Sequence, residues 1–251
     1  MRMTETVKQL LIINIIFYVG SQFVATAYPM FSLYYPESNN FRIWQPITSM
    51  FMHAPMPNLM HIVFNMFALV SFGSALEHFW GAKKFLFFYI SCGLGAVLVH
   101  TGVNYYQYHH VLALLQEAKV PHDVIITILK EGKYNNSLLE TVPLSTLESM
   151  YHAYSTPVVG ASGAIYGLLI AFTFMFPNAE LALMFIPIPI KAKYFVPIYM
   201  LLYDGFFGFF GNSFFGMGDD VAHFAHLGGA ITGFIMMWYW KKNQFNKNRW
   251  N

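Results

Sequence analysis

The sequence predicts an all-α fold, a polytopic membrane protein built as a bundle of six transmembrane helices. Three observations carry that reading. Apolar residues make up 56% of the 251-residue chain and charged residues only 10%, whereas about a quarter of the residues in a soluble domain are charged. Crossing a hydrocarbon core of about 30 Å takes about 20 helical residues, and apolar runs of that order recur at 10–28, 59–78, 85–103, 157–176, 194–212 and 221–240. The runs are continuous and long instead of short and alternating, which excludes a β-barrel. The chain, 1–251, reads as a single membrane domain with an insertion at 104–156 outside the bilayer.

Charge orients the spans. Arg2, Lys8, Lys83, Lys84, Lys191, Lys193, Lys241, Lys242, Lys247 and Arg249 fall on one side, against Arg42, Lys119, Lys130 and Lys133 on the other. The excess marks the cytoplasmic face, so both termini are expected in the cytoplasm, with the even-numbered spans running inward from outside. The net charge of +2 says little about partners; membrane lipid is expected around the chain, and no nucleic-acid partner is expected. The single cysteine, Cys92 in the third span, excludes an internal disulfide framework. No short apolar core with a small-residue cleavage site opens the chain, so the first span reads as a retained anchor.

The first span has one strongly polar interior residue, Asn14, read as an interhelical hydrogen-bonding group. The connection 29–58 holds Tyr34, Tyr35, Phe41, Trp44 and Phe51, and is expected to lie in the membrane surface because Tyr and Trp favour the headgroup level. The second span opens NLMHIVFNMFALV, which sets His61 and Asn65 four residues apart on one helical face. Polar groups so placed usually face the bundle interior or a water-filled cavity, a helix-packing pair being the alternative. Glu77 and His78 read as interfacial, and 81–84 as a short basic turn.

Hydrophobicity drops between 104 and 156. VLALLQEAKV and HDVIITILKE are amphipathic and separated by Pro121, and STLESMYHAY opens with Ser145 and Glu148 in capping-box spacing. Two or three short external helices are expected there, forming a small cap or a partner surface. His109, His110, His122 and His152 match no metal-site spacing and read as solvated or interfacial.

The fourth span holds VVGASGAIYG, 158–167, with Ser162 at the head of an apolar helix. Pro157 leads in, a residue favoured in the first helical turn. Free N–H groups and the positive dipole end of a helix N-terminus suit a developing oxyanion. Gly163 and Gly167 form a small-xxx-small pair that admits another helix closely. The proline-rich segment FPNAELALMFIPIPIKAKYF is expected to make an ordered turn. Asp204 in the fifth span reads as a buried acid with a packing or gating role. The sixth span, VAHFAHLGGAITGFIMMWYW, carries His223 and His226, and Gly229 and Gly233 follow as a second close-packing pair. Facing glycine pairs on spans four and six would bring His226 toward Ser162.

His61, Ser162 and His226 thus fall at one depth, on the order of 10 Å below the external end at the helical rise per residue. A serine, a base and two oxyanion donors at one level form a hydrolase constellation. Ser162 would be the nucleophile and His226 the general base and acid. The Ser162 backbone N–H, His61 and Asn65 would hold the oxyanion. No carboxylate is suitably placed to orient His226, so a dyad is expected, with Tyr166 on the Ser162 face as an aromatic support.

These residues resemble the rhomboid family of intramembrane serine proteases. The resemblance rests on His-x-x-x-Asn at His61 and Asn65, G-A-S-G at Gly160 to Gly163 with Tyr166, and Ala-His-x-x-Gly-x-x-x-Gly at Ala225 to Gly233. It runs from the first external loop through the sixth span. It implies a rhomboid-like six-helix bundle whose catalytic cavity opens outward, a Ser162–His226 dyad, and an oxyanion hole lined by His61 and Asn65. Tyr166, Gly160, Gly163, Gly229 and Gly233 support that site. It further implies transmembrane protein substrates cut near helix-destabilising residues, no metal or cofactor, and a bacterial cytoplasmic membrane as the location. Many members carry Trp-Arg in the first external loop where this chain has Trp44 and Gln45, so that arginine's contacts do not carry over. The 104–156 segment is also longer than a minimal member needs. A catalytically dead relative would usually lack the serine or the histidine. A transporter would be expected to show repeated halves and polar residues spread across the bilayer.

Overall fold

The computed structural model describes residues 2–140, 142–183, 186–200 and 223–244. The chain opens with α1 (Glu5–Phe23), then the short α2 (Ala27–Phe31) and α3 (Gln45–Thr48), the latter running into a 3-10 turn at Ser49–Phe51. The second span is α4 (Leu59–Ala68), a π-helical turn (Leu69–Gly73) and α5 (Ser74–Trp80) in succession. Gly81, at φ +75°, breaks the chain before α6 (Ala82–Glu117). Next come α7 (His122–Glu131), a 3-10 turn (Asn136–Glu140), α8 (Leu144–Ser155) and α9 (Ser162–Met175). An antiparallel hairpin of β1 (Glu180–Leu183) and β2 (Ile186–Lys191) precedes α10 (Ala192–Met200), and α11 (His223–Gln244) closes the described chain.

Among the described residues, three helices are long and apolar enough to cross a bilayer: Glu5–Phe23, Leu59–Trp80 and Ala82–Glu117. α9 is shorter, at 14 residues. α11 is 22 residues long but begins at His223 and His226 and ends in Lys241 and Lys242. Most of the expected fifth span, with Asp204, lies outside the described residues. The centre of the molecule is a three-helix contact in which α6, α9 and α11 each pack on the other two. Phe85, Phe88, Tyr89 and Cys92 of α6 are buried there with Leu168 and Ala171 of α9 and Met237 of α11.

Several expectations are corrected. The helix of the third span does not stop near Val103: α6 continues unbroken for 36 residues, so VLALLQEAKV supplies its last turns and is not a separate helix. A helix leaving the bilayer needs no hydrophobic run, only a partner surface. Tyr108, Val111 and Leu115 supply one by packing with Ile125, Ile128, Leu147 and Met150 of α7 and α8 in a second core. Ser145 does not cap α8, which begins at Leu144 with Pro143 in the capping position and no side-chain cap. The proline-rich connection is a hairpin, with Glu180 opposite Lys191 and Leu181 opposite Ile190, so the fold is not wholly α. Strand prolines are tolerated here because a two-stranded ribbon has only edges.

The second core is tied to the first loop through Glu37. His109 Nε2 and the Tyr35 hydroxyl reach Glu37 Oε1 at 3.0 and 3.1 Å, and the Tyr154 hydroxyl donates to the Glu37 carbonyl at 3.1 Å. Burial, with Glu37 beside it, pushes the Tyr35 hydroxyl above its ordinary pKa and keeps it a donor.

Glu77 of α5 is buried against the start of α1. Its carboxylate accepts the Thr6 and Val7 amides at 3.0 Å each and the Thr4 hydroxyl, answering the unpaired N–H groups and the positive end of that helix. Glu77→Ala leaves these donors buried without an acceptor, which costs roughly 1–3 kcal/mol. Thermal unfolding in detergent should show that loss, with Glu77→Gln retaining part of the stability because its carbonyl still accepts.

Candidate active site

The turn before α9 sets the serine. Pro157 is not in the first helical turn as expected, because the residues after it are held extended. Leu33 and Val158 exchange both backbone hydrogen bonds, at 2.9 and 2.8 Å, and the Gly160 N–H reaches the Ser49 carbonyl at 3.0 Å. Gly160 then takes φ +128°, a conformation that side-chain-bearing residues rarely adopt. A Cβ there would also stand 3.2 Å from the His61 ring. The helix therefore starts at Ser162 itself. The first bond of α9 runs from the Ile165 N–H to the Ala161 carbonyl at 3.0 Å, so the Ser162, Gly163 and Ala164 amides lie ahead of it at the positive end of the helix.

His226, on the first turn of α11, brings Nε2 to 2.9 Å from Ser162 Oγ. Its ring stacks on Tyr166, with centroids 4.2 Å apart and planes 11° from parallel. Tyr166 lies one turn beyond Ser162, so a single helix face presents the hydroxyl and the plate that orients the imidazole. Glycines make the approach feasible. A Cβ on Gly229 would overlap the Gly163 carbonyl, and one on Gly233 would stand 2.8 Å from the Gly167 Cα. On its other flank, Gly167 leaves room for the Cys92 thiol of α6.

His61 occupies the first turn of α4, with its ring edge over Gly160. The Ala54 N–H donates to His61 Nδ1 at 3.0 Å. Nδ1 is thereby the acceptor, and in the neutral imidazole the proton belongs to Nε2, which lies beside the Gly160–Ser162 turn. Asn65 is one turn deeper and buried. Its Nδ2 donates to the His61 carbonyl at 2.7 Å, while Oδ1 is buried with no partner. The structure thus brings Ser162, His226, Tyr166, His61 and the glycines together, and places Asn65 behind His61 with its second Nδ2 hydrogen to spare.

Sequence reasoning missed His53 and underrated Gln45. His53 is fully buried, and its Nε2 meets Asn14 Oδ1 at 2.9 Å. Because Asn14 Nδ2 donates to the Leu10 carbonyl at 2.7 Å, Oδ1 is the acceptor and His53 Nε2 carries the proton. Asn14 therefore holds the first loop, not another helix. His53 packs edge-on against His61, centroids 5.2 Å apart, and directly precedes the Ala54 amide that fixes His61. The signal lay in Asn14, a polar group in an apolar helix in need of a partner. Gln45, in the place of the expected arginine, is fully buried. Its Nε2 donates to the Asn40 carbonyl at 2.9 Å, and the Tyr34 N–H reaches its Oε1 at 3.3 Å.

Burial, and then the neighbouring His61, lower the His53 pKa from 6.5 to about 3. Between those values the unfolded chain binds a proton that the folded one refuses, so stability falls as pH drops below 6.5. The slope is about 1.4 kcal/mol per pH unit, levelling off at the folded value. Unfolding midpoints between pH 7 and 4 should show His53→Phe shedding this component of the acid dependence.

The fold and site are those of a helix bundle with long apolar helices in which a serine and a histidine are in hydrogen-bond contact. The family model described as the rhomboid domain matches residues 40–114 and 138–243. The chain belongs to the rhomboid family, a family of intramembrane proteases. Over 164 residues it is 28% identical to an uncharacterized mitochondrial rhomboid protein of Schizosaccharomyces pombe; the match covers 62% of this chain and 41% of that protein. The chain thus spans less than half the length of that relative. That relative is a mitochondrial fungal protein and lends no support to a bacterial membrane as the location. The stretch between the two matched segments contains α7, so part of the second core lies outside the family pattern.

Proposed function

We propose that the chain is a serine-type intramembrane endopeptidase that hydrolyses peptide bonds in or near transmembrane segments of other proteins. The observation that carries this reading is the 2.9 Å contact between Ser162 Oγ and His226 Nε2 at a helix N-terminus. In it, His226 Nε2 takes the Ser162 proton as Oγ attacks the scissile carbonyl. The Ser162 amide and His61 Nε2–H stabilise the oxyanion, with the free Asn65 N–H as a further donor. The imidazolium then gives its proton to the leaving amine, and water, activated by the same imidazole, releases the acyl group from Oγ. Tyr166 holds the ring in plane throughout, so a dyad suffices.

The domain architecture is a single six-span rhomboid-like bundle over residues 1–251, with both termini cytoplasmic and the site opening to the opposite side. A substrate helix must unwind to expose its carbonyls, so bonds near Gly, Pro or polar residues are the preferred targets. The reaction needs no metal or cofactor in this reading.

The deciding experiment incubates purified protein with a serine-directed fluorophosphonate and, separately, with a single-span reporter. Labelling at Ser162 together with reporter cleavage is the expected result. Folded wild type that neither labels nor cleaves would remove the proposal.

A further inference from the structure

α6 and α11 run antiparallel, Gly95 meeting Thr232 and Phe88 meeting Trp240, so the start of one and the end of the other share one end of the bundle, and both are basic there: Lys83 and Lys84, Lys241 and Lys242. Beside them the two helices leave an open groove of about 390 Å³ lined by Phe87, Ser91, Ile235, Trp238, Tyr239 and Trp240. The size falls within the range of small-molecule sites, about 300–1,000 Å³. Two ammonium groups are held on the aromatic rings that line it. Lys84 Nζ lies 4.2 Å from the Trp240 ring centre, and Lys242 Nζ 5.4 Å from that of Trp238. Among the described residues, neither lysine is paired with a carboxylate, the ion pairs being His109–Glu37 and Lys133–Glu131. The groove between α1 and α4, lined by Leu11, Ile15, Tyr18, Ile62 and Met66 among others, has no cation in its wall. Both grooves suit hydrocarbon, and only the first has charge at its rim.

We propose that the α6–α11 groove is a binding site for an anionic phospholipid. One acyl chain lies along Phe87, Ile235 and Trp238, and the phosphate sits between Lys84 and Lys242, with Lys241 at the rim. Trp and Tyr at this level favour the headgroup boundary, and basic clusters beside a membrane helix attract acidic lipid. The site is remote from Ser162 and does not depend on the proposed chemistry.

The test uses full-length protein in neutral detergent, titrated with phosphatidylglycerol or phosphatidylcholine of identical chains and followed by native mass spectrometry and thermal unfolding. One phosphatidylglycerol should be retained per chain, binding about tenfold tighter than phosphatidylcholine and raising Tm. Lys84→Gln with Lys242→Gln should erase that preference, and Ser91→Trp, which fills the groove, should abolish retention of either lipid. If the Lys84 variant does not fold, Lys241→Gln with Lys242→Gln at the exposed helix end should weaken the preference several-fold. Equal binding of the two lipids, lysine variants that keep the preference, or retention by Ser91→Trp would overturn the proposal. So would an equal rise in Tm with inorganic phosphate alone, which would leave the groove without a role.

Discussion

Ser162→Ala is expected to lower kcat/KM toward a single-span reporter by on the order of 10⁴- to 10⁶-fold, and His226→Ala by a similar factor. In the proposed mechanism the two groups act as one unit through the 2.9 Å contact, so removing both should be no worse than removing either. His61→Ala should be milder, about 10²- to 10³-fold, because on the proposed roles it removes one oxyanion donor and leaves the nucleophile and base intact. Rates of the three single variants and the double variant, each checked for an unchanged unfolding temperature, supply the measurement. Multiplying losses in the double variant would mean that serine and histidine act separately. Unchanged cleavage by Ser162→Ala would remove the nucleophile assignment.

Gly229→Val should abolish most activity without touching a reacting group. Its side chain would occupy the position of the Gly163 carbonyl, and backbone cannot step aside as a flexible side chain can. α9 and α11 must separate, and a displacement of about 1 Å at the reacting atoms is enough to cost about 10²-fold in rate. Overpacking of this kind also destabilises by about 1–3 kcal/mol. Gly102→Ala is the control: a Cβ there meets nothing within 4 Å, so neither rate nor Tm should move appreciably. The result to look for is a fall in kcat larger than any change in KM for Gly229→Val. Full activity in that variant would show that the contact between the two helices does not position His226.

The candidate site was legible in the sequence where a polar group sat in an apolar run. Ser162, His226, His61 and Asn14 stand out against their neighbours because hydrocarbon gives such groups no partner, and glycines four apart signal close helix contact. Loops offered no such contrast. His53 lies where there is no helical period to place it, so its bond to Asn14, some forty residues earlier in the chain, had no local trace. The continuation of α6 past Val103 was hidden for another reason. Falling hydropathy marks departure from hydrocarbon, whereas helicity persists wherever a surface such as that of α7 and α8 is available to bury one face. In the connection after α9, alternating isoleucine and proline read as a turn, and only pairing with Glu180 and Leu181 makes it a strand.

The Leu33–Val158 bridge has a consequence for the order of assembly. Two segments 125 positions apart (158 − 33) must meet before the Gly160 turn takes its shape, and two of the long apolar helices lie between them. The histidine arrives later still, on the last described helix. A chain made only through α9 therefore holds both halves of the bridge and Ser162, but not His226. On the proposed roles, Ser162 has no base until that last helix docks.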